Sequence, residues 1–274
     1  MDIQHISVSR KKCFDQCPQQ YKFKYHLKVP SPGPEPFYFV YGKIIHKIAE
    51  TYVEFRGAKS LGEVTQDVLR GKIPIEGDKL APAIPTDYKR RMPGHLQSIQ
   101  KITDIMGFEG QLERQFRYDL DPPHGKFITG FIDRLIIKEG PEGKSAYILD
   151  YKTTKKGPFR ETKESIISEI QLRAYARVVN REEGIPAENI KCALYYLEGG
   201  DMVGAKYTQE SLERAERELL NVYNNIANAN PDNVRGITGQ HCTRCDYKDM
   251  CPFFRGKPNK SDTWDGNMES LFNA

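Results

Sequence analysis

Phe127-Ile128-Thr129-Gly130-Phe131-Ile132-Asp133-Arg134-Leu135-Ile136-Ile137 and, after a turn-rich segment at 138–144, Ser145-Ala146-Tyr147-Ile148-Leu149-Asp150-Tyr151-Lys152 read as two consecutive β-strands. Strand side chains alternate faces, so Asp150 and Lys152 emerge on the same face, one strand step apart. Two carboxylates and a lysine meeting at strand ends suit a hard-metal site. Ordinary ion pairing, Asp133 with a neighbouring arginine and Asp150 with Lys152, is the alternative that these residues alone leave open.

Upstream, Leu112 to Tyr118 alternates as an edge or half-buried strand, giving at least three consecutive antiparallel strands, with Glu113 expected at the surface unless its face turns inward to join the acidic cluster. Before it, Ile45, Ile48, Ala49, Tyr52 and Phe55 recur at helical spacing and predict the core face of a helix ending near Phe55. His46 lies at the edge of that stripe, where a lone histidine reads as a half-buried residue. Residues 57–93 are polar and rich in Gly and Pro, with a short helix over Glu63 to Leu69, and a further helix runs from Gly94 to Met106. Together they predict a helical insertion at about 57–106, in which Lys89-Arg90-Arg91 is a basic, solvated loop.

Downstream, a helix is expected from Thr162 to Arg181, with Gln171 and Tyr175 four residues apart on one face. Cys192 to Leu197 and Met202 to Thr208 form a hairpin around Glu198-Gly199-Gly200-Asp201, and a long helix follows from Gln209 to Ala229. Its inner face is Leu212, Leu219, Val222, Tyr223 and Ile226. The pattern predicts an α/β fold, a mixed central sheet flanked by helices, as one domain over 1–260 with a flexible tail at 261–274.

The 274 residues carry a formal net charge of +4, so a nucleic-acid partner must be held by local patches rather than by overall charge. The best patch lies in 9–28, where a helix capped by Ser9 interleaves Phe14, Tyr21, Phe23 and Tyr25 with Arg10, Lys11, Lys12, Lys22, Lys24 and Lys28. No window is apolar enough for a membrane span and the first residues hold no apolar signal core, so no membrane partner and a cytoplasmic location are expected.

Six cysteines in such a chain point to thiols or a metal rather than to a disulfide framework. Cys242-x-x-Cys245 with Cys251 six residues on can aim three thiolates at one centre. Cys17, followed by Pro18, is the natural fourth ligand, and Cys13 the reserve. Such a site would join the first turn of the chain to its last segment. A [4Fe–4S] cluster and Zn²⁺ both accept four thiolates.

These motifs together resemble the PD-(D/E)XK nuclease superfamily, in particular RecB-like exonucleases with an iron–sulfur cluster found in CRISPR-associated and AddB-type enzymes. The resemblance rests on Ser7-Val8-Ser9 leading to Cys17-Pro18, Gly42-x-x-x-His46, Gly130-x-x-Asp133-Arg134, Asp150-Tyr151-Lys152-Thr153, Gln171-Leu172-x-x-Tyr175 and the closing cysteines. It implies a restriction-endonuclease-like core and a Mg²⁺- or Mn²⁺-dependent deoxyribonuclease. In that reading Asp133, Asp150, His46 and the carbonyl of Tyr151 hold the metal, and Lys152 is catalytic. Gln171 and Tyr175 shape the site or hold the strand, with Arg10, Lys11 and Lys12 as further DNA contacts, and Cys17, Cys242, Cys245 and Cys251 hold the cluster. The implied activity is DNA exonuclease in recombination, replication or repair, against a structure-specific endonuclease, a DNA-trimming nuclease of CRISPR adaptation or a non-catalytic DNA-binding module. Ser270-Leu271-Phe272 is similar to the end of sliding-clamp binding peptides, which suggests that clamp as a partner.

Overall fold

A computed structural model describes Met1 and residues 3–254; the expected tail, with its clamp-like end, lies outside the described residues. In chain order the elements are α1 (Val8–Gln16), α2 (Pro18–Tyr21), a π-helical turn (Lys22–His26), α3 (Phe37–Glu54), α4 (Leu61–Leu69), α5 (Thr86–Met106), β1 (Gln111–Asp121), β2 (Lys126–Gly140), β3 (Gly143–Lys152), α6 (Ile170–Glu182), β4 (Ile190–Tyr196), β5 (Asp201–Lys206) and α7 (Gln209–Asn228). The five strands form one mixed sheet in the order β1-β2-β3-β4-β5. β2 and β3 pair antiparallel from Gly140↔Gly143 to Arg134↔Leu149. β3 and β4 run parallel, as a strand pair joined through a helix does, and β4 and β5 close as the expected hairpin.

Parallel register puts Leu149 beside Ala193 and Tyr151 beside Tyr195. That face packs with Ile45, Ile48, Ala49 and Tyr52 of α3, Val64 and Val68 of α4, and Ile99 and Ile102 of α5 in one buried cluster. The polar 57–106 stretch thus contributes α4 and α5 to the same core as the sheet. α6 packs against β3 and β4, where the Cys192 thiol lies 3.9 Å from the Leu172 carbonyl.

Several boundaries move from their expected places for local reasons. Ser7 rather than Ser9 caps α1, its hydroxyl accepting the Arg10 N–H at 3.2 Å. α5 begins at Thr86 and carries Pro93 within it, so Lys89-Arg90-Arg91 is helical, not a loop. α6 starts only at Ile170, because Glu169 caps it by accepting the Leu172 N–H at 2.9 Å; the stretch before it holds a 3₁₀ turn at Ser165–Ser168.

The described chain divides into two compact units. One comprises Pro36–Tyr118 and Thr129–Arg217. The other comprises Met1–Glu35, Asp119–Ile128 and the segment from Glu218. Within the second, the Met1 amine donates to the Ile226, Ala227 and Ala229 carbonyls at the end of α7, and Tyr247 donates to the Val29 carbonyl at 3.2 Å. No helix among the described residues is long and apolar enough to cross a membrane.

Candidate active site

The geometry begins where the β2–β3 pairing stops. Past Arg134↔Leu149 the Asp133 side chain takes over, its Oδ2 accepting the Tyr151 main-chain N–H at 2.7 Å. The same oxygen lies 3.4 Å from His46 Nδ1 on α3. Glu113 of β1 completes a trio with them: one ligand atom from each of His46, Glu113 and Asp133 lies within 4.8 Å of the others. Expected at the surface, Glu113 is instead half-buried, because its φ of +45° breaks the strand alternation that would have turned it outward. Nothing in the alternating sequence marks that break.

Asp150, one strand over and 1% exposed, belongs to a second set. Its Oδ1 accepts from Gln171 Nε2 at 2.9 Å, and its Oδ2 lies 2.5 Å from Lys152 Nζ. Lys152 also donates to Gln171 Oε1 at 3.1 Å, and the Gln171 amide reaches the Tyr175 hydroxyl at 2.8 Å. One glutamine therefore fixes both the carboxylate and the ammonium, which explains why the i, i+4 pair on α6 faces β3. The Tyr151 ring goes into the core, edge-on to His46 at 6.1 Å, while its N–H serves Asp133.

Burial and the Asp150 charge push Asp133 up to about 7. Burial raises the Glu113 carboxyl as well. Lys152 runs the other way: burial would lower it, but Asp150 and Asp133 outweigh that and hold it above its ordinary value. Carboxyls raised by a dry, like-charged site lose that penalty when a cation arrives. Two carboxylates and an imidazole fit Mn²⁺, and the carboxylates fit Mg²⁺; Asp150 Oδ2, buried and facing the Lys152 ammonium, adds a further carboxylate oxygen beside them.

The trio opens onto a cleft of about 670 Å³ lined also by Tyr38, Phe39, Gly42, Phe131, Thr153 and Thr154. Two arginines fasten the segment that leaves Lys152: Arg91 donates to the Thr153 carbonyl (3.1 Å) and to Glu198, and Arg160 donates to the Thr154 carbonyl (2.9 Å) and to Asp201. Arg134 is wholly buried and donates to the Gly107 and Glu109 carbonyls at 2.7 and 2.9 Å, tying down the turn that leads into β1 and Glu113. Gly110 in that turn has φ +113°, and a Cβ there would stand 2.7 Å from the Leu135 carbonyl oxygen.

The basic residues of α1 are arranged differently. Lys11 is buried and paired with Asp15 and, at 2.9 Å, with Glu218. Arg10 donates to the His5 carbonyl and lies over the Tyr25 ring. Lys12 is exposed.

Cys17, Cys242, Cys245 and Cys251 line one small cavity with Phe23, Tyr247 and Phe253; Cys13 does not line it. Main-chain N–H groups point at three of the sulfurs, from Gly239 to Cys242 at 3.4 Å, from Tyr247 to Cys245, and from Phe253 and Phe254 to Cys251. Such donors favour thiolates, whereas burial raises the Cys245 and Cys251 thiols. The donor set fits a thiophilic metal group. Among the described residues no three of these sulfurs come within 4.8 Å of one another.

No curated protein matches the chain. The fold is similar to that of a protein from Eubacterium rectale named provisionally as an exonuclease, at 15% identity and a TM-score of 0.51, covering 89% of this chain and 88% of that one. The structure of SSO0001 aligns at 14% identity and a TM-score of 0.42 over 92% of this chain and 87% of that one, too loosely to argue from. The family model of the PD-(D/E)XK nuclease superfamily matches residues 5–252, from before the α1 cap to beyond Cys251 and across both sets of site residues. The chain belongs to the PD-(D/E)XK nuclease superfamily.

Proposed function

We propose that the chain is a RecB-like, metal-dependent DNA exonuclease that hydrolyses phosphodiester bonds with Mg²⁺ or Mn²⁺. The observation that carries this reading is the convergence of His46, Glu113 and Asp133 beside the Asp150–Lys152–Gln171 network. When bound, the divalent ion supplies charge for the phosphate oxygens and lowers the pKa of its water. His46, Glu113 and Asp133 hold that ion, with the buried Asp150 oxygen at its side. Lys152, kept protonated by its two carboxylate neighbours, acts as a fixed donor to the attacking water or to the charge that develops on phosphate. Gln171 aims it. Tyr175 buttresses Gln171, and α1 offers Lys12 as an exposed contact for the DNA backbone. The preference for ends over internal sites rests on the resemblance of the ordered motifs to RecB-like exonucleases.

Purified protein is expected to degrade linear DNA with Mg²⁺ or Mn²⁺ and to spare closed circles, with Asp150→Ala and Lys152→Ala inactive. Full activity in either variant overturns the assignment; cleavage of closed circles moves it to an endonuclease.

The four cavity-lining cysteines are proposed to hold a [4Fe–4S] cluster rather than Zn²⁺. The preference for the cluster rests on the resemblance of the ordered motifs to RecB-like exonucleases with an iron–sulfur cluster. The amide donors to sulfur are those that tune such clusters.

A further inference from the structure

Three large aromatic rings stand in water at the mouth of the candidate active-site cleft. Tyr38 is 53% exposed, Phe39 54% and Phe131 50%. The Tyr38 and Phe39 rings lie 4.4 Å apart on the first turn of α3. Phe131 lies two residues before Asp133 on β2, hence on the same strand face. All three line the cleft that holds His46 and Asp133. Rings of this size normally reach the core, and a cluster of them left exposed around a cleft marks a surface kept for a partner.

Gly42 is the second observation. It lies in the interior of α3 between Phe39 and His46, facing the cleft. Glycine there weakens a helix. No packing demands it, since an added Cβ would meet only Thr153 Oγ1 at an ordinary 3.7 Å. What the missing side chain preserves is an open floor between the rings and the metal-ligand trio.

The third is charge. Within the cleft, Lys43 and Lys47 are already paired with Glu76 and Glu50. The segment that leaves Lys152 continues from the fastened Thr153 and Thr154 into exposed Lys155 and Lys156, which form no ion pair among the described residues, and ends on Phe159, 78% exposed. Flat rings, a clear floor and lysines on a loop are the components of a single-strand track: bases stack on rings whatever their sequence, and the lysines follow the phosphates. A duplex keeps its bases stacked on one another and offers such rings nothing.

We propose that Tyr38, Phe39 and Phe131 form a stacking lip for unpaired bases, making single-stranded DNA, or the frayed end of a duplex, the form of substrate that enters the cleft. This rests on the nuclease reading of the same site, but its test is independent of hydrolysis. Anisotropy of a fluorescein-labelled 12-nucleotide single strand, measured in EDTA, is expected to show binding that weakens roughly tenfold for each ring removed in Phe39→Ala, Phe131→Ala and Tyr38→Ala. The same oligonucleotide made wholly of abasic sites should bind wild type and the triple variant alike, and Lys155→Ala/Lys156→Ala should flatten the salt dependence without changing that abasic comparison. Equal binding of the base-bearing strand by wild type and a folded triple variant, or tighter binding of the blunt duplex by wild type, overturns the proposal. With Mn²⁺ added, absence of cleavage despite ring-dependent binding overturns the nuclease reading instead. Cleavage of single strand and blunt duplex at equal rates, unchanged by loss of the rings, leaves the nuclease standing and removes the lip.

Discussion

At the scale of single residues, Gln171 is the hinge of the candidate site. Its amide nitrogen donates to Asp150 and to Tyr175, while its oxygen accepts from Lys152. Gln171→Met keeps the length of the side chain and removes all three contacts. Its expected effect is a 10- to 100-fold fall in kcat with KM for DNA nearly unchanged, the size typical of partners that orient a metal site. Single-turnover and steady-state kinetics on one oligonucleotide separate the two parameters, and a loss confined to KM would make Gln171 a strand contact. Asp133, Asp150 and Lys152 were legible in the sequence because a period-two pattern assigns faces without knowledge of anything distant. Glu113 was legible only as the less favoured alternative, since the positive φ at that position leaves no trace in the residue types.

At the scale of elements, α3 and α5 meet through polar as well as apolar contacts. His95 on α5 is wholly buried, with its Nδ1 2.8 Å from the Tyr41 hydroxyl on α3. Burial, helped by the Arg91 charge, lowers it to about 4. The unfolded histidine takes a proton near 6.5, so between about 6.5 and about 4 the unfolded chain binds more protons than the folded one. Stability therefore falls as pH drops through that window, by roughly 3 kcal/mol if the whole shift is expressed. Urea unfolding followed from pH 7 to pH 4 should show that slope, flattened in His95→Gln; an unchanged slope would assign the acid sensitivity elsewhere. The helices themselves were readable from apolar spacing, but their starts were not. Arg91 looked like part of a solvated loop because its partners, Glu198 and the Thr153 carbonyl, lie 107 and 62 residues away in sequence.

At the scale of the whole molecule, the chemistry-bearing residues and the thiols fall in different units. His46, Glu113, Asp133, Asp150, Lys152 and Gln171 belong to one, and Cys17, Cys242, Cys245 and Cys251 to the other. Cysteine spacing and the Cys17-Pro18 pair pointed to the second set, with Cys13 in reserve, and of those two it is Cys17 that lines the cavity with Cys242, Cys245 and Cys251. Protein purified without oxygen is expected to contain iron and sulfide and to lose both, with a fall in Tm of several degrees, in Cys17→Ser and Cys251→Ser. Cys13→Ser and Cys192→Ala should keep the iron. Iron analysis with thermal denaturation decides, and stoichiometric zinc in place of iron would replace the cluster with a mononuclear site.

Asp133 Oδ2 stands in for a missing strand partner by accepting the Tyr151 N–H. The oxygen that ends the β2–β3 ladder is thus the one nearest His46. Whatever draws electron density from that carboxylate, a proton or a cation, also slackens the bond that holds the Tyr151 amide. The amide is in effect a gauge wired to the site: occupancy of the carboxylate is written into the stiffness of the strand end that carries Lys152.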